Sequence, residues 1–319
     1  MCLAGRLHWR MSPTQSSGWP ACGMYPGKSG TSTAGFSEVM NAERKRSKSS
    51  SPSRLTPRAS CRGVFITGTD TGVGKTLVTT ALALCIKQRG VSVGVMKPVE
   101  TGYKDEGTTG SDAARLYAAA GMTDPVEAMS PYRFPDSLAP LDAARRAGTV
   151  IRVDRIMVAY RLLAARHSLM LVEGAGGVRV PLSEKTDMRD LIERLGLPVV
   201  VVGRTAIGGI NHVLLTVESL ERRRIKIAGI VLNQPRAAAP ATADGMQQAF
   251  TVALLRERSG VPVVGPLPYE PLLPFSWEQG LAAMAGSAAI SELADLVMGT
   301  ATQTRALRQS RRSRAKSRR

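Results

Sequence analysis

The segment formed by residues 68–76 constrains the fold of this chain more than any other feature. Its sequence is Gly-Thr-Asp-Thr-Gly-Val-Gly-Lys-Thr, and it lies between a short apolar run at residues 64–66 and a longer amphipathic run. Glycines allow a backbone to curl until its N–H groups face phosphate oxygens, and a following helix adds a partial positive charge at its N-terminus. A strand, this loop and a helix in that order predict a site for the phosphates of a nucleotide.

Two residues of this loop have expected roles. Lys75 is expected to reach the β- and γ-phosphates, and the hydroxyl of Thr76 is expected to bind Mg²⁺. Five residues separate Gly68 from Gly74, which is one more than in the general pattern. The alternative is a glycine-rich turn that only starts a helix. The sequence Gly-Lys-Thr at the strand-to-helix junction favours the phosphate site.

The alternation of short apolar runs with longer amphipathic runs continues to about residue 264. It predicts an α/β fold with a mostly parallel, doubly wound sheet of the P-loop NTPase type, in which ligands bind beyond the carboxyl ends of the strands. The predicted strands are 64–66, 91–96, 169–172, 198–202, 225–232 and 261–264, and the predicted helices are 75–89, 111–120, 154–166, 211–222 and 245–258.

The formal net charge of +18 belongs mainly to the two ends of the chain. Residues 1–61 contain nine Lys or Arg and two Glu, and residues 300–319 contain eight Lys or Arg and no acid. We expect a disordered Ser/Arg-rich extension at 1–61, one domain at 62–299 and a disordered basic tail at 300–319. Such ends attract nucleic acid without sequence preference, so functional nucleic-acid binding is the less favoured interpretation.

The cysteines and the apolar runs limit the compartment. Cys2, Cys22, Cys61 and Cys85 have neither a metal-ligand spacing nor a disulfide pattern, which favours a reducing compartment. The apolar runs are too short for a transmembrane helix, so no membrane association is expected. We therefore expect a cytoplasmic protein. Import into an organelle is the alternative, because transit peptides are also rich in Ser and Arg.

Two acids and a second lysine lie where phosphoryl chemistry needs them. Glu173 follows the predicted strand 169–172, Asp112 lies at a predicted helix start, and Lys97 follows the predicted strand 91–96. Carboxylates beyond the loop hold Mg²⁺ in phosphoryl-transfer enzymes, and a lysine can stabilise charge on the transferred group. The simpler alternatives are a solvated glutamate, a helix-capping aspartate and a surface lysine.

Taken in order, these motifs resemble dethiobiotin synthetases of biotin biosynthesis. The resemblance covers roughly Gly63 to Leu296 and includes the five-residue loop spacing. It implies that ATP and Mg²⁺ serve the carboxylation and ring closure of 7,8-diaminononanoate with CO₂, through a carbamate and a carbamic-phosphoric anhydride, in a homodimer. The motifs that carry it are residues 68–76, 97–102, 111–112, 172–177 and 209–212.

The resemblance also implies site residues. Lys97 and Lys75 would be catalytic, and Thr101, Lys97 and Asn211 would contact the substrate. Mg²⁺ would be bound by Thr76, Asp112 and Glu173. ATP would be bound by Gly72, Val73, Gly74, Lys75, Thr76, Asp112, Glu173, Gly174, Ala175, Gly176, Asn233, Gln234, Pro268, Tyr269 and Glu270.

The chain departs from the family pattern at one substrate-side segment, and two other enzyme classes share its loop. Ala139 and Leu141 occupy positions where the family often has Ser and His. A switch ATPase of the partitioning type carries an extra lysine early in the loop, where this chain has Thr69, Asp70 and Thr71. A cobalamin-pathway amidotransferase needs a glutaminase cysteine, and no cysteine follows Cys85.

Overall fold

The structure, a computed structural model, describes residues 62–103, 110–234, 237 and 242–300. These residues belong to one compact unit, Thr56–Arg319. The predicted extension at 1–61 and the predicted tail beyond residue 300 lie outside the described residues.

The described elements alternate between strands and helices along most of the chain. The strands are β1 Arg62–Gly68, β2 Val93–Met96, β3 Val99–Thr101, β4 Tyr132–Phe134, β5 Leu169–Gly177, β6 Val199–Arg204, β7 Ile227–Asn233 and β8 Val263–Val264. The helices are α1 Lys75–Gln88, α2 Asp112–Ala120, α3 Val126–Met129, α4 Pro140–Arg146, α5 Val153–Ala164, α6 Met188–Leu195, α7 Gly209–Glu221, α8 Ala243–Ser259, α9 Trp277–Ala285 and α10 Ala288–Thr300.

Six strands form the main sheet in the order β2-β5-β1-β6-β7-β8, and every neighbouring pair is parallel. This confirms the predicted doubly wound fold class. Residues 64–66 and 199–202 have no exposed surface, as expected for strands covered on both faces. Because all these strands are parallel, their carboxyl ends meet at one edge. Ile66 of β1 pairs with Glu173 of β5, so this acid lies beside the last residues of β1, two residues before the phosphate loop begins.

Several predicted boundaries were wrong. β5 continues to Gly177, so Glu173 lies inside the strand and the glycine-rich residues after it extend the strand instead of forming a turn. β2 begins at Val93, two residues later than predicted. β3 and β4 form a separate parallel pair that the sequence interpretation missed, because three-residue strands carry too little periodic signal.

Helix α6 was also missed, although its signal was present. Asp187 accepts hydrogen bonds from the first-turn amides, and the carboxylate of Asp190 accepts one from the Asp187 N–H, which completes a capping box. The other unpredicted helices are α3, α4, α9 and α10.

Within the described ranges, no single helix has the length and apolar composition of a membrane span. Helices α9 and α10 have that length and composition only when they are taken together, and the pair is bent by 65° at the break between the two helices.

A cluster around Asp124 joins the amino end of the sheet to the helical layer. The buried Asp124 carboxylate accepts hydrogen bonds from His167 Nε2 at 2.9 Å and from Arg166 Nη1 at 2.8 Å. Burial raises the pKa of this carboxyl, but the bonds from His167 and Arg166 outweigh it, so its pKa is lowered.

We expect Asp124→Asn to reduce the free energy of unfolding at pH 7 by about 2 kcal/mol, since hydrogen bonds to a buried charge are lost. A carboxyl whose pKa is lowered by folding adds stability above its unfolded value, near about 4, and loses it as the pH falls through the folded value. The difference in the free energy of unfolding between the native chain and the variant, measured by urea unfolding, should therefore shrink below about pH 4. Asp154→Asn is the control, because the Asp154 side chain is 85% exposed in its ion pair. Equal effects of the two substitutions would contradict this role for Asp124.

Candidate active site

The phosphate loop joins the central strand β1 to helix α1. Gly72 and Gly74 have φ angles of 69° and 99°, in the left-handed region that side chains disfavour. Gly74 is the N-cap residue of α1 and has no side chain that could accept hydrogen bonds from the first amides of the helix. These amides can therefore donate hydrogen bonds to a bound anion. The buried Lys75 donates from Nζ to the Asp70 carbonyl oxygen at 2.8 Å. Burial and the neighbouring Lys97 charge lower the pKa of Lys75 to about 8.

Residues from three other strands brace the loop. Asn233 Nδ2, at the end of β7, donates to the Val73 carbonyl oxygen at 3.1 Å. Arg204 Nη2, at the end of β6, donates to the Thr71 carbonyl oxygen at 2.9 Å. On β5, a Cβ added at Gly177 would lie 3.3 Å from the Gly68 carbonyl oxygen. The sequence interpretation assigned no role to Arg204, whose position directly after a predicted strand was the available signal.

We expect Gly74→Ala to weaken nucleotide binding at least tenfold. A Cβ at Gly74 would lie 2.2 Å from Asn233 Nδ2, and the φ angle of 99° is strained for alanine. Gly90→Ala is a matched control, since Gly90 also has a positive φ of 78° but has nothing within 4 Å of an added Cβ. Titration calorimetry with ADP should show a loss for Gly74→Ala only. Equal affinities in the two variants would contradict the contact argument.

Lys97 is the centre of a charged cluster beside this loop. Only 4% of the residue is exposed, and its ammonium contacts Glu173 Oε1 and lies 2.8 Å from Asp112 Oδ2. Thr76 Oγ1 donates to the same oxygen of Glu173 at 2.9 Å. The structure therefore brings together four of the predicted site residues from β5, α1, α2 and the end of β2.

Electrostatics favours the charged forms of Lys97 and Asp112. Burial alone would lower the pKa of Lys97, but the charges of Glu173 and Asp112 outweigh it and raise that pKa above its ordinary value. Burial would raise the pKa of Asp112, but Lys97 outweighs it and lowers that pKa. Lys97 is therefore a fixed cation at neutral pH, suited to stabilising negative charge and not to accepting a proton.

The cluster also has the oxygen atoms that a Mg²⁺ ion requires. Glu173 is completely buried, and its Oε2 has no hydrogen-bond partner. A hydroxyl and two carboxylates, completed by phosphate oxygens and water, are typical Mg²⁺ ligands. In the described part of the chain there is no group of three or more His, Cys, Asp or Glu able to hold a metal by itself. The Thr76 hydroxyl and the carboxylates of Asp112 and Glu173 fit an ion that is shared with a nucleotide.

Glu100 belongs to the same region, although no role was predicted for it. Only 4% of the residue is exposed; its Oε1 accepts a hydrogen bond from the Ala113 N–H at 3.2 Å, and its Oε2 is buried without a partner. Burial raises the pKa of this carboxyl. The available signal was an acid inside the short run Val-Glu-Thr that follows Lys97 and Pro98.

The remaining residues predicted to bind ATP lie beside the phosphate loop or near the end of β7. Gly174, Ala175 and Gly176 lie in β5, where a Cβ at Gly176 would lie 3.6 Å from Thr71 Oγ1 of the loop. The Leu267 N–H donates to the Leu232 carbonyl oxygen at 2.8 Å, which places the following residues near the end of β7. Those following residues are Pro268, Tyr269 and Glu270. The last predicted residue, Gln234, directly follows β7.

The two further substrate residues lie apart from the charged cluster. Thr101 ends β3 and is half-buried, whereas Asn211 is exposed in the first turn of α7. Among the described residues, neither side chain donates to or accepts from the cluster around Lys97. Segment 137–141, which contains the departures Ala139 and Leu141, borders β3, because a Cβ at Gly102 would lie 2.4 Å from Ser137 Oγ.

Comparisons with known proteins agree with this geometry. A family model described as an AAA domain matches residues 62–275. The ATP-dependent dethiobiotin synthetase BioD of Thermodesulfovibrio yellowstonii is 39% identical over 216 residues, which are 65% of this chain and 88% of that protein. This chain belongs to the dethiobiotin synthetase family. The enzyme of the same name from Anaeromyxobacter dehalogenans strain 2CP-C is 50% identical over 173 residues, 54% of this chain and 77% of the relative.

Two solved structures are less similar to this dethiobiotin synthetase family member. The MinC:MinD cell division complex of Aquifex aeolicus gives a TM-score of 0.48 at 14% identity, over 75% of this chain and 96% of that one. A ParA family ATPase from Chlorobium tepidum gives 0.42 at 14% identity, over 77% and 99%. The strand order described above, and not these partial similarities, defines the fold.

Proposed function

We propose that this chain catalyses the ATP-dependent carboxylation and ring closure of 7,8-diaminononanoate to dethiobiotin, ADP and phosphate. Membership of the dethiobiotin synthetase family supports the overall reaction. At the level of single residues, the observation that supports this reaction is the position of the Lys97 ammonium. It is buried between Asp112 and Glu173 at the edge of the phosphate loop. A fixed cation at this position suits a reaction in which negative charge builds up on a transferred phosphoryl group.

The phosphate loop would hold the nucleotide. The amides at the start of α1 and the Lys75 ammonium would bind the β- and γ-phosphates, and these anions would favour the charged form of Lys75. Asn233 and the segment 268–270 lie at the end of β7, where they would border the base. Arg204 would act through the loop, because its guanidinium holds the Thr71 carbonyl oxygen.

Mg²⁺ would be held by Thr76, Asp112 and Glu173. When bound, it would neutralise charge on the phosphate oxygens. Lys97 would share the two carboxylates with the ion and direct its remaining hydrogen-bonding capacity to the reacting oxygens. In the proposed sequence, one amine of the substrate takes up CO₂ to form a carbamate, and the carbamate oxygen attacks the γ-phosphorus and displaces ADP. The second amine then closes the ring and releases phosphate.

The substrate would lie along β3, where Thr101 supplies a hydroxyl close to Lys97 along the chain. Asn211 is exposed, so its substrate contact fits a homodimer in which a second subunit covers it. An apolar surface near this residue supports the dimer: Met246, Phe250 and Leu254 lie at four-residue intervals on α8, and they are 51%, 73% and 37% exposed. Helix α8 packs against α7, whose Leu215 is 55% exposed. Light scattering at micromolar concentration tests the dimer, and a monomer mass would exclude it.

The function is tested by incubating the full chain with ATP, Mg²⁺ and bicarbonate, with and without 7,8-diaminononanoate. Phosphate release should depend on the diamine, and mass spectrometry should detect dethiobiotin in equal amount. Lys75→Ala should lose both signals, because the β- and γ-phosphates lose their cation. A rate of phosphate release that is the same with and without the diamine, with no dethiobiotin formed, would contradict this function and favour a switch ATPase.

A further inference from the structure

Glu100 lies on the same short segment as Lys97, and this segment is held firmly. Strand β3 pairs in parallel with β4 from Val99 to Thr101. On either side of it, the Lys97 N–H donates to the Met129 carbonyl oxygen at 2.9 Å, and the Gly102 N–H donates to the Asp136 carbonyl oxygen at 2.9 Å. Lys97 and Glu100 are therefore carried by one backbone unit with few degrees of freedom.

The carboxylate of Asp112 depends on a different element, the first turn of α2. Ser111 caps this helix by accepting a hydrogen bond from the Ala114 N–H at 3.0 Å. This cap is local, so it orders the helix end but does not tie it to β3. Along the chain, ten residues separate Thr101 from Asp112. The covalent connection alone gives no reason for the 2.8 Å separation between Lys97 Nζ and Asp112 Oδ2.

Glu100 supplies the direct connection between the two elements. Its Oε1 accepts from the Ala113 N–H at 3.2 Å, the amide that directly follows Asp112. Successive side chains of a strand point to opposite faces, so Glu100 and Thr101 point to opposite sides of β3. Glu100 therefore contacts α2, and it lies on the side of β3 opposite to Thr101, which is predicted to contact the substrate.

We propose that Glu100 is a positioning residue that holds α2 so that Asp112 faces Lys97, and that it thereby sets the Mg²⁺ response of the nucleotide site. This inference rests on the proposed function for the identity of the metal ligands. The inference concerns metal binding as well as turnover, because a displaced Asp112 would weaken the binding of Mg²⁺ even when no substrate is present.

Three single variants of the full chain test this inference. Glu100→Ala removes the acceptor, Glu100→Gln keeps an oxygen for the Ala113 N–H, and Ser111→Ala removes only the local cap. For each, the Mg²⁺ concentration that half-saturates ADP binding is measured by titration calorimetry, together with the melting temperature, kcat and KM for ATP.

Glu100→Ala should raise the half-saturating Mg²⁺ concentration about tenfold, within the range found when residues that orient metal ligands are removed. Glu100→Gln should stay within about threefold of the native chain, and Ser111→Ala should lower the melting temperature with little change in the Mg²⁺ response. An unchanged Mg²⁺ response in Glu100→Ala, or an equal rise in Ser111→Ala, would overturn the inference. The binding measurement does not require dethiobiotin formation, so failure of the proposed function would be recognised separately.

Discussion

Replacement of Lys97 by Met is expected to reduce the rate of dethiobiotin formation by about 10²–10³, the loss found when one preorganised donor to a developing charge is removed. The same change should lower the free energy of unfolding by about 3–5 kcal/mol, because it leaves the buried Glu173 carboxylate without its cation. Glu173 is the residue most affected, since it is fully buried. Both losses follow from one ammonium group and should appear together in kcat and in urea unfolding.

The matched control for Lys97→Met is Lys87→Met, which removes an exposed lysine near the end of α1. It should leave both quantities nearly unchanged. If Lys97→Met kept more than a tenth of the native kcat at saturating ATP, Lys97 would have no direct part in the chemistry. A full loss of activity with unchanged stability would instead place the Glu173 carboxylate in water.

Glu173→Gln should produce the second large effect, on the Mg²⁺ dependence of turnover. The amide keeps the shape of the side chain and can still accept from Thr76 Oγ1, but it presents no charge to a cation. We expect kcat to fall by about 10² and the half-saturating Mg²⁺ concentration to rise at least tenfold.

Magnesium titrations of diamine-dependent phosphate release measure this effect, and Glu193→Gln on the outer surface of α6 serves as its control. Lys97 keeps its partner Asp112 in Glu173→Gln, so the fold should survive and the comparison should remain interpretable. A Glu173→Gln variant with the native Mg²⁺ requirement would remove Glu173 from the metal site.

The sequence was sufficient for the parts of the fold and site that depend on local patterns. The apolar runs located the six strands of the main sheet, because strands covered on both faces are continuously apolar. The Gly-Lys-Thr junction located the phosphate loop, and the parallel pairing of β1 with β5 explains why Glu173 lies beside the end of the strand that leads into it. The order of motifs identified the dethiobiotin synthetase family, which the comparisons then confirmed.

The remaining features depend on contacts between residues far apart in sequence. No local pattern joins Glu100 to the amide of Ala113 or Arg204 to the carbonyl oxygen of Thr71, because each contact exists only after two elements have packed. Strands β3 and β4 escaped prediction for the same reason, since their pairing is tertiary and each has only three residues. Asn233 was predicted to contact the nucleotide base, and the structure adds that its amide braces the loop.

The bracing of the loop by Asn233 has a consequence for folding. The donor and acceptor of that hydrogen bond are 160 residues apart in sequence, and the strand that delivers Asn233 is the next to last in the main sheet. A chain that emerges from the ribosome can form β1 and α1 early, yet the loop between them acquires its last support only when β7 docks. Nucleotide affinity therefore reports on the docking of β7, and a chain truncated before β7 should bind ATP poorly even where its N-terminal half is helical and compact.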